Sequence, residues 1–218
     1  MLLFRAPGVY RPQEDTWLLA RAMAEVAVPA DARVLDICTG TGALAIQAAR
    51  LGTATVTAVD ISRAALASAW LNSRWHRVNV ELLHGDFART VAGRQFDLVL
   101  ANPPYVPCAD ARPPHGRARS WDAGRDGRAV LDSLCRLAPE MLSARGTLLI
   151  VHSALCGPDS TLNQLRDNGL KAAVVARETI PFGEVLRARR QWLATVGLIE
   201  PDQSGEELVV IRADQPRR

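Results

Sequence analysis

The chain has 218 residues, of which 48% are hydrophobic, 22% charged and 5% aromatic, and its formal net charge is +3. That apolar share excludes a disordered chain, and the length predicts one α/β domain over 1–218 that buries roughly 70% or more of the surface exposed when unfolded. The apolar start Met1-Leu2-Leu3-Phe4, broken by Arg5 and Pro7, is too short for a signal peptide or a membrane span, so a cytoplasmic protein is expected.

Residues 14–27 predict an amphipathic helix with Leu18, Leu19, Ala22, Met23 and Val26 on one face and Asp15 or Thr16 as its cap. Residues 33–37 (RVLDI) predict a first strand, which leads through Gly40 and Gly42 into an alanine-rich helix over 43–51. A second strand is predicted over 54–60, and Ser62 caps a helix over 63–75. Third and fourth strands fall at 80–83 and 96–101. Residues 102–124 are irregular and rich in proline. A helix over 126–143 places Val130, Leu134, Leu137 and Met141 at helical spacing. A strand at 147–152, a helix at 159–168 and strands at 172–176 and 208–212 complete the chain, with 186–195 ambiguous between helix and loop. This alternation predicts a Rossmann-like, doubly wound sheet of seven mostly parallel strands.

Cys38, Cys108, Cys135 and Cys156 form no C-x-x-C pair, and His76, His84, His115 and His152 have no metal-ligand spacing. Neither a disulfide framework nor a metal site is expected. The mildly basic balance is compatible with a nucleic-acid partner without requiring one.

Asp36-Ile37-Cys38-Thr39-Gly40-Thr41-Gly42 sits where a strand gives way to a helix. Ligands of open α/β sheets bind at such strand ends, and glycines let the backbone approach them closely. Alone, the turn suits a nicotinamide, a flavin or S-adenosylmethionine, or no ligand. Asp60, ending the second strand, can accept hydrogen bonds from both hydroxyls of a ribose. Asp86 follows the third strand, where its carboxylate can accept from an adenine amino group with Phe87 beside the ring. Either aspartate alone is also an ordinary turn residue.

Asn102-Pro103-Pro104-Tyr105 directly follows the fourth strand. An amide or exocyclic amine has a delocalised lone pair and is a poor nucleophile. The Asn102 side-chain carbonyl and the Pro103 backbone carbonyl offer two acceptors that fix its NH2 group and favour the positive charge developing on nitrogen. Pro103 and Pro104 stiffen the corner, because neither has an N–H and φ is locked. Tyr105 can stack on a planar acceptor. A hydride-transfer enzyme would need a nicotinamide contact and a proton donor, and no candidate for either is evident.

These residues resemble the HemK family of protein-glutamine methyltransferases, in the short branch without a separate N-terminal helical domain. The resemblance is carried by Val9-Tyr10-x-Pro12-x-Glu14-Asp15-Thr16, the Asp36 turn, Asn102-Pro103-Pro104-Tyr105-Val106 and Trp121-x-x-Gly124-Arg125-x-Gly127-Arg128. It runs from about Val9 to Leu155 and is looser over 186–218. It implies a class I fold, S-adenosylmethionine as cofactor, and as substrate the glutamine of a Gly-Gly-Gln motif in a translation release factor. It further implies cofactor contacts at Thr16, Asp36, Cys38, Asp60, Asp86, Phe87 and Asn102, and acceptor contacts at Asn102, Pro103 and Tyr105. Some members of this branch work with a small zinc-binding activator protein, and others have been associated with lysine targets. Cys38 departs from the pattern, standing where the first glycine of the turn is usual.

An exocyclic amine of adenine or guanine presents similar NH2 geometry and is the rival acceptor; a non-catalytic subunit that keeps the fold is the rival from another class. Arg112, Arg117 and Arg119 read equally as a cationic lid or a solvated loop, whereas Arg125 and Arg128 are expected to face substrate or anchor the loop. Cys108 is expected to be passive, Trp17, Trp70, Trp75 and Trp192 to be packing residues, and Arg187, Arg189 and Arg190 to form a solvated face.

Overall fold

The computed structural model describes residues 1–53, 55–110, 112, 114 and 116–216. Expectations touching Ala54 in the second strand, Ala111, Pro113 and His115 in the proline-rich loop, and Arg217 and Arg218 lie outside the described residues. The strands are β1 (Arg33–Ile37), β2 (Thr55–Asp60), β3 (Glu81–His84), β4 (Phe96–Ala101), β5 (Leu142–Ser153), β6 (Lys171–Pro181) and β7 (Gly205–Asp214). The helices are α1 (Glu14–Ala24), α2 (Ala43–Arg50), α3 (Arg63–Trp75), α4 (Phe87–Thr90), α5 (Ala129–Met141), α6 (Pro158–Asp167) and α7 (Glu184–Thr195).

The sheet has the order β3-β2-β1-β4-β5-β7-β6. Strands β1 to β5 pair in parallel, and β7 runs antiparallel between β5 and β6. The chain builds outward from β1 to β3, then returns to lay β4 on the other side of β1. That reversal opens a crevice at the carboxyl ends of β1 and β4.

Strand periodicity divides the core between two faces. Val34, Leu98, Leu100, Leu149 and Val151 cluster with Leu18, Leu19 and Met23 of α1 and Leu44 and Ala48 of α2. Leu35, Ile37, Val99, Leu148 and Ile150 cluster with Leu131 and Leu134 of α5 and Leu165 of α6. Leu100 and Leu134 have no exposed surface, and truncating either to alanine would cost about 2–5 kcal/mol.

Local signals account for several boundaries. Ser62 caps α3 by accepting from the Ala65 N–H at 3.3 Å. Asp86 starts the short α4, which the sequence reading did not include, by accepting from the Ala88 N–H. The cap expected for α1 is not formed: Gln13 occupies the capping position without a side-chain bond, and Asp15 and Thr16 lie buried within the first turn. Strand β6 is longer than predicted because β7 pairs with it from Lys171 to Pro181. The ambiguous 186–195 segment is helix α7, whose Leu186 and Leu193 bury against Phe182 and Ile199. Trp17 and Trp192 are half-buried against the core clusters, but Trp70 and Trp75 are exposed on α3. The packing role expected of Trp70 and Trp75 is therefore corrected, although Trp75 meets Phe4 edge to face and Arg74 lies over Trp70. Among the described residues, no helix is long and apolar enough to cross a membrane.

Candidate active site

Strand register brings three sequence-distant residues to one edge. Ile37 pairs with Val59 of β2 and with Ala101 of β4. The next residues, Cys38, Asp60 and Asn102, therefore leave the sheet side by side. All three line a cavity of about 1170 Å³, larger than the roughly 300–1,000 Å³ of a typical ligand site. Residues 7–10 and the segment 116–120 line it from outside the sheet.

Two carboxylates, Asp36 buried and Asp60 half-buried, shape the turn after β1. Asp36 has no exposed surface, and its Oδ2 accepts from the Thr39 hydroxyl at 2.6 Å and the Ala45 N–H at 3.1 Å. Its Oδ1 has no hydrogen-bond partner among the described residues. Burial pushes the Asp36 carboxyl up to about 7, against those two hydrogen bonds. Asp60 accepts from the Gly40 N–H at 3.0 Å through Oδ2 and from the Ser62 N–H at 2.8 Å through Oδ1. Burial raises the Asp60 carboxyl as well, while these backbone donors oppose the shift. Each Asp60 oxygen keeps a further lone pair for a ligand hydroxyl.

The expected cofactor residues divide into wall and frame. Thr16, Cys38, Gly40, Asp60, Asp86, Phe87 and Asn102 line the cavity. Asp36 and Gly42 are not among its walls: Asp36 braces the turn from within, and Gly42 begins α2 at φ +80°. A Cβ on Gly42 would meet the Cβ of Ala69 at 3.1 Å, so this glycine serves the contact between α2 and α3. Cys38 adopts φ +59°, a left-handed conformation that suits glycine. Burial raises its thiol, which is therefore a neutral wall group. Residues not assigned to the site from sequence also line the cavity, among them Thr41, Leu44, Ile61 and Val130, and Arg117, which reads equally as lid or solvated loop from sequence, lines it too. Ile61 and Leu44 flank motifs that were visible, but Arg117 and Val130 reach the cavity only through tertiary folding.

The corner after β4 is held from α1. Asn102 donates through Nδ2 to the Thr16 hydroxyl at 3.2 Å, and that hydroxyl donates to Asp15 Oδ1 at 3.1 Å. Asp15 Oδ2 accepts from the hydroxyls of Tyr10 at 3.0 Å and Tyr105 at 3.1 Å. Burial, and then the Asp15 charge, raise both phenols above their ordinary value, keeping them as donors. Pro104 lines the cavity, whereas Pro103 and Tyr105 do not; Pro103 is buried and Tyr105 packs against both core clusters. The sequence expectation placed Tyr105 on the acceptor face, but its hydroxyl is committed to the interior.

The loop beyond the corner is pinned twice. Gly127, at φ +73°, lies so close to Tyr105 that a Cβ would stand 2.3 Å from the Tyr105 carbonyl oxygen. Arg128, buried, donates to the carbonyls of Cys156 and Gly157 and to the Thr161 hydroxyl, and it pairs with Asp132. It is the loop anchor anticipated as one of two roles, while Arg125 is exposed. Arg189 of α7 pairs with Asp122 at 2.6 Å and donates to the Pro107 carbonyl. The solvated face expected for Arg189 is thus corrected. Cys108 is buried and donates weakly to the Asp110 carbonyl. All four cysteines are free, and among the described residues no group of three or more His, Cys, Asp or Glu gathers to hold a metal.

This strand order, with β7 reversed beside β5 and a ligand cavity at the β1–β4 crevice, is the fold of a class I methyltransferase. A family model described as the methyltransferase small domain matches residues 3–115. A protein of Methanocaldococcus jannaschii, provisionally named a protein N5-glutamine methyltransferase, is 34% identical over 181 residues, covering 83% of this chain and 90% of the other. The release factor glutamine methyltransferase of Geobacter sulfurreducens is 33% identical over 66% of this chain, which spans 53% of that enzyme's length. Among solved structures, the E. cuniculi Mtq2–Trm112 complex, responsible for methylation of the eRF1 termination factor, matches with a TM-score of 0.66 and 22% identity over 96% of this chain and 99% of the other. The chain belongs to the methyltransferase small domain family and, within it, to the HemK group of N-methyltransferases. Membership implies S-adenosylmethionine as the methyl donor.

Proposed function

We propose that residues 1–218 form one catalytic domain that methylates the side-chain amide nitrogen of a glutamine, in the Gly-Gly-Gln segment of a translation release factor. The observation that carries this reading is the convergence of Asn102, Asp60 and Cys38 on one cavity from three adjacent strands. The names of the relatives, glutamine methyltransferases of release factors among them, support the acceptor.

The donor set fits S-adenosylmethionine. Asp60 would hold the ribose hydroxyls, Asp86 the adenine amino group and Phe87 the ring, while Cys38 and Gly40 supply backbone that a ligand can approach closely. Thr16 and Asn102 would stand at the methyl-donor end. When bound, the cofactor supplies an electrophilic methyl group and its own leaving group. The chain's task is to position the acceptor: the Asn102 Oδ1 accepts from the glutamine NH2, aims its lone pair and favours the developing positive charge, and the carbonyl of Pro103, whose residue is buried behind the cavity wall, would have to become accessible to serve as second acceptor. Pro104 keeps the corner stiff, and Tyr105 could contribute to the acceptor side only through its ring, since its hydroxyl is bonded to Asp15. A release-factor substrate would be in keeping with a reaction in the cytoplasm. A small zinc-binding activator protein is proposed as partner, in line with the family resemblance and with the Mtq2–Trm112 pairing of the structural neighbour.

Purified protein given radiolabelled methyl donor is expected to label a release factor at glutamine in preference to nucleic acid. Label found only on DNA or RNA would replace the glutamine with an exocyclic base amine.

A further inference from the structure

We propose that Asp15 is a positioning residue whose carboxylate, acting through the Thr16 hydroxyl, sets which way the Asn102 side-chain amide faces. The proposal rests on the reading of Asn102 as the acceptor-binding residue and assigns a role to a residue outside the cavity.

Asp15 is 3% exposed, and a carboxylate can only accept. Its Oδ2 takes the Tyr10 and Tyr105 hydroxyls, and its Oδ1 takes the Thr16 N–H at 2.6 Å and the Thr16 Oγ1–H at 3.1 Å. The single hydroxyl hydrogen of Thr16 is thereby committed. Thr16 Oγ1 then has only lone pairs to offer Asn102, so the group meeting it at 3.2 Å must be the Asn102 NH2. The Asn102 Oδ1 is turned to the other side, available to accept from a substrate amine.

A neutral group at position 15 removes this polarity. An asparagine there can donate to Thr16 Oγ1, which frees the threonine hydrogen to donate to Asn102 Oδ1. The Asn102 amide can then flip and present NH2 to the NH2 of the substrate, donor against donor. The same carboxylate also holds Tyr105, so Asp15 ties both ends of the four-residue corner to α1. No pairing by sequence proximity could do this, since Asn102 and Tyr105 lie 86 and 90 residues from their α1 partners.

The test compares Asp15→Asn, Thr16→Val and Thr16→Ser with the wild type. Turnover, KM for a Gly-Gly-Gln-bearing release factor and calorimetric affinity for S-adenosylhomocysteine are measured. So is the exchange of the ¹⁵N-labelled Asn102 side-chain amide protons in the S-adenosylhomocysteine complex. Asp15→Asn and Thr16→Val are expected to lower kcat about 10- to 100-fold, as for a misaligned reacting group, with KM and, for Asp15→Asn, whose side chain lies outside the cavity, cofactor affinity within about threefold of wild type. Thr16→Ser, which keeps the hydroxyl, is expected to retain kcat within about threefold. In the wild type and Thr16→Ser, one Asn102 Nδ2 proton exchanges slowly; in Asp15→Asn and Thr16→Val that protection is lost. Wild-type kcat in Asp15→Asn, or protection unchanged in Thr16→Val, would overturn the proposal. If Asp15→Asn fails to fold, the Thr16 pair decides. If the wild type methylates no glutamine, the functional reading fails, while the amide exchange still reports on the relay.

Discussion

The two walls of the cleft are held by bonds of different kinds. The turn after β1 is fastened mainly by backbone donors on two aspartates: the Gly40 and Ser62 N–H groups donate to Asp60, and the Ala45 N–H, with the Thr39 hydroxyl, donates to Asp36. The corner after β4 is fastened by side chains, through Asn102, Thr16, Asp15 and Tyr105. Such a turn depends on its aspartates but tolerates change where a residue supplies only backbone, and Cys38 can stand there at φ +59°. A corner held by side-chain polarity depends on the identity of every member. The bonds of the turn accordingly span at most 20 residues, whereas those of the corner reach across 86 and 90.

The sharpest way to break this comparison is at the corner. Asn102→Ala is expected to lower turnover by about 10²–10³-fold, as for loss of one group stabilising the transition state. Calorimetry should find cofactor affinity largely retained, because Asp60 and Asp86 are untouched. Unchanged turnover would remove Asn102 from the reaction.

Beneath the corner, Glu206 of β7 is buried, and burial raises its carboxyl to about 7 against a hydrogen bond with Ser153, with the Asp15 charge adding to the rise. A carboxyl with a raised folded-state pKa favours folding fully below its unfolded value. That contribution is lost as pH rises through about 7. Glu206→Gln keeps a neutral group at the site. It should be more stable than wild type by about 1–3 kcal/mol at high pH, with the gap closing toward acid pH. Urea denaturation of both proteins across that range measures it, and a constant gap would show that Glu206 does not titrate with folding.

On the turn side, Asp60→Ala should weaken cofactor binding by about 1–3 kcal/mol, the cost of leaving polar partners unpaired. Normal affinity by calorimetry would reject the ribose assignment. The smallest effect sharpens the contrast. Cys38→Gly relieves a left-handed residue and should raise stability by at most about 1 kcal/mol, since glycine's extra unfolded-state freedom offsets part of the gain. Turnover is expected to persist. A large loss of activity would mean that the Cys38 side chain, and not its backbone, shapes the cavity.

Much of the fold was legible because its signals are local. The run 33–37 is bounded as β1 and the run 96–101 as β4, and Ser62 caps α3 as its type and place suggest. The strand segments are short apolar runs, the first leading into a glycine-bearing turn and the fourth followed by asparagine. Asp60 and Asn102 were legible as cavity-lining residues because each ends or directly follows a strand run, and Gly40 because it stands in the turn just beyond one; strand ends are where an open sheet binds ligands. Strand β6 was read too short, because pairing with β7, and not its own pattern, sets its length. Helix α7 was ambiguous until packing against Phe182 and Ile199 chose its burying face.

Within the cavity, sequence alone determined the types of functional group: acids at two strand ends, glycines in one turn, and an amide followed by two prolines after β4. Those are properties of neighbours along the chain, where a few residues suffice to define strand, turn and functional group. Tertiary structure alone decided which groups face the cavity and which brace it. Asp36 and Tyr105 look inward, Arg189 pins a loop, and Asp15 joins α1 to a corner far away in sequence. Orientation of this kind depends on hydrogen-bond partners brought together by the sheet, and no local pattern encodes a partner that distant.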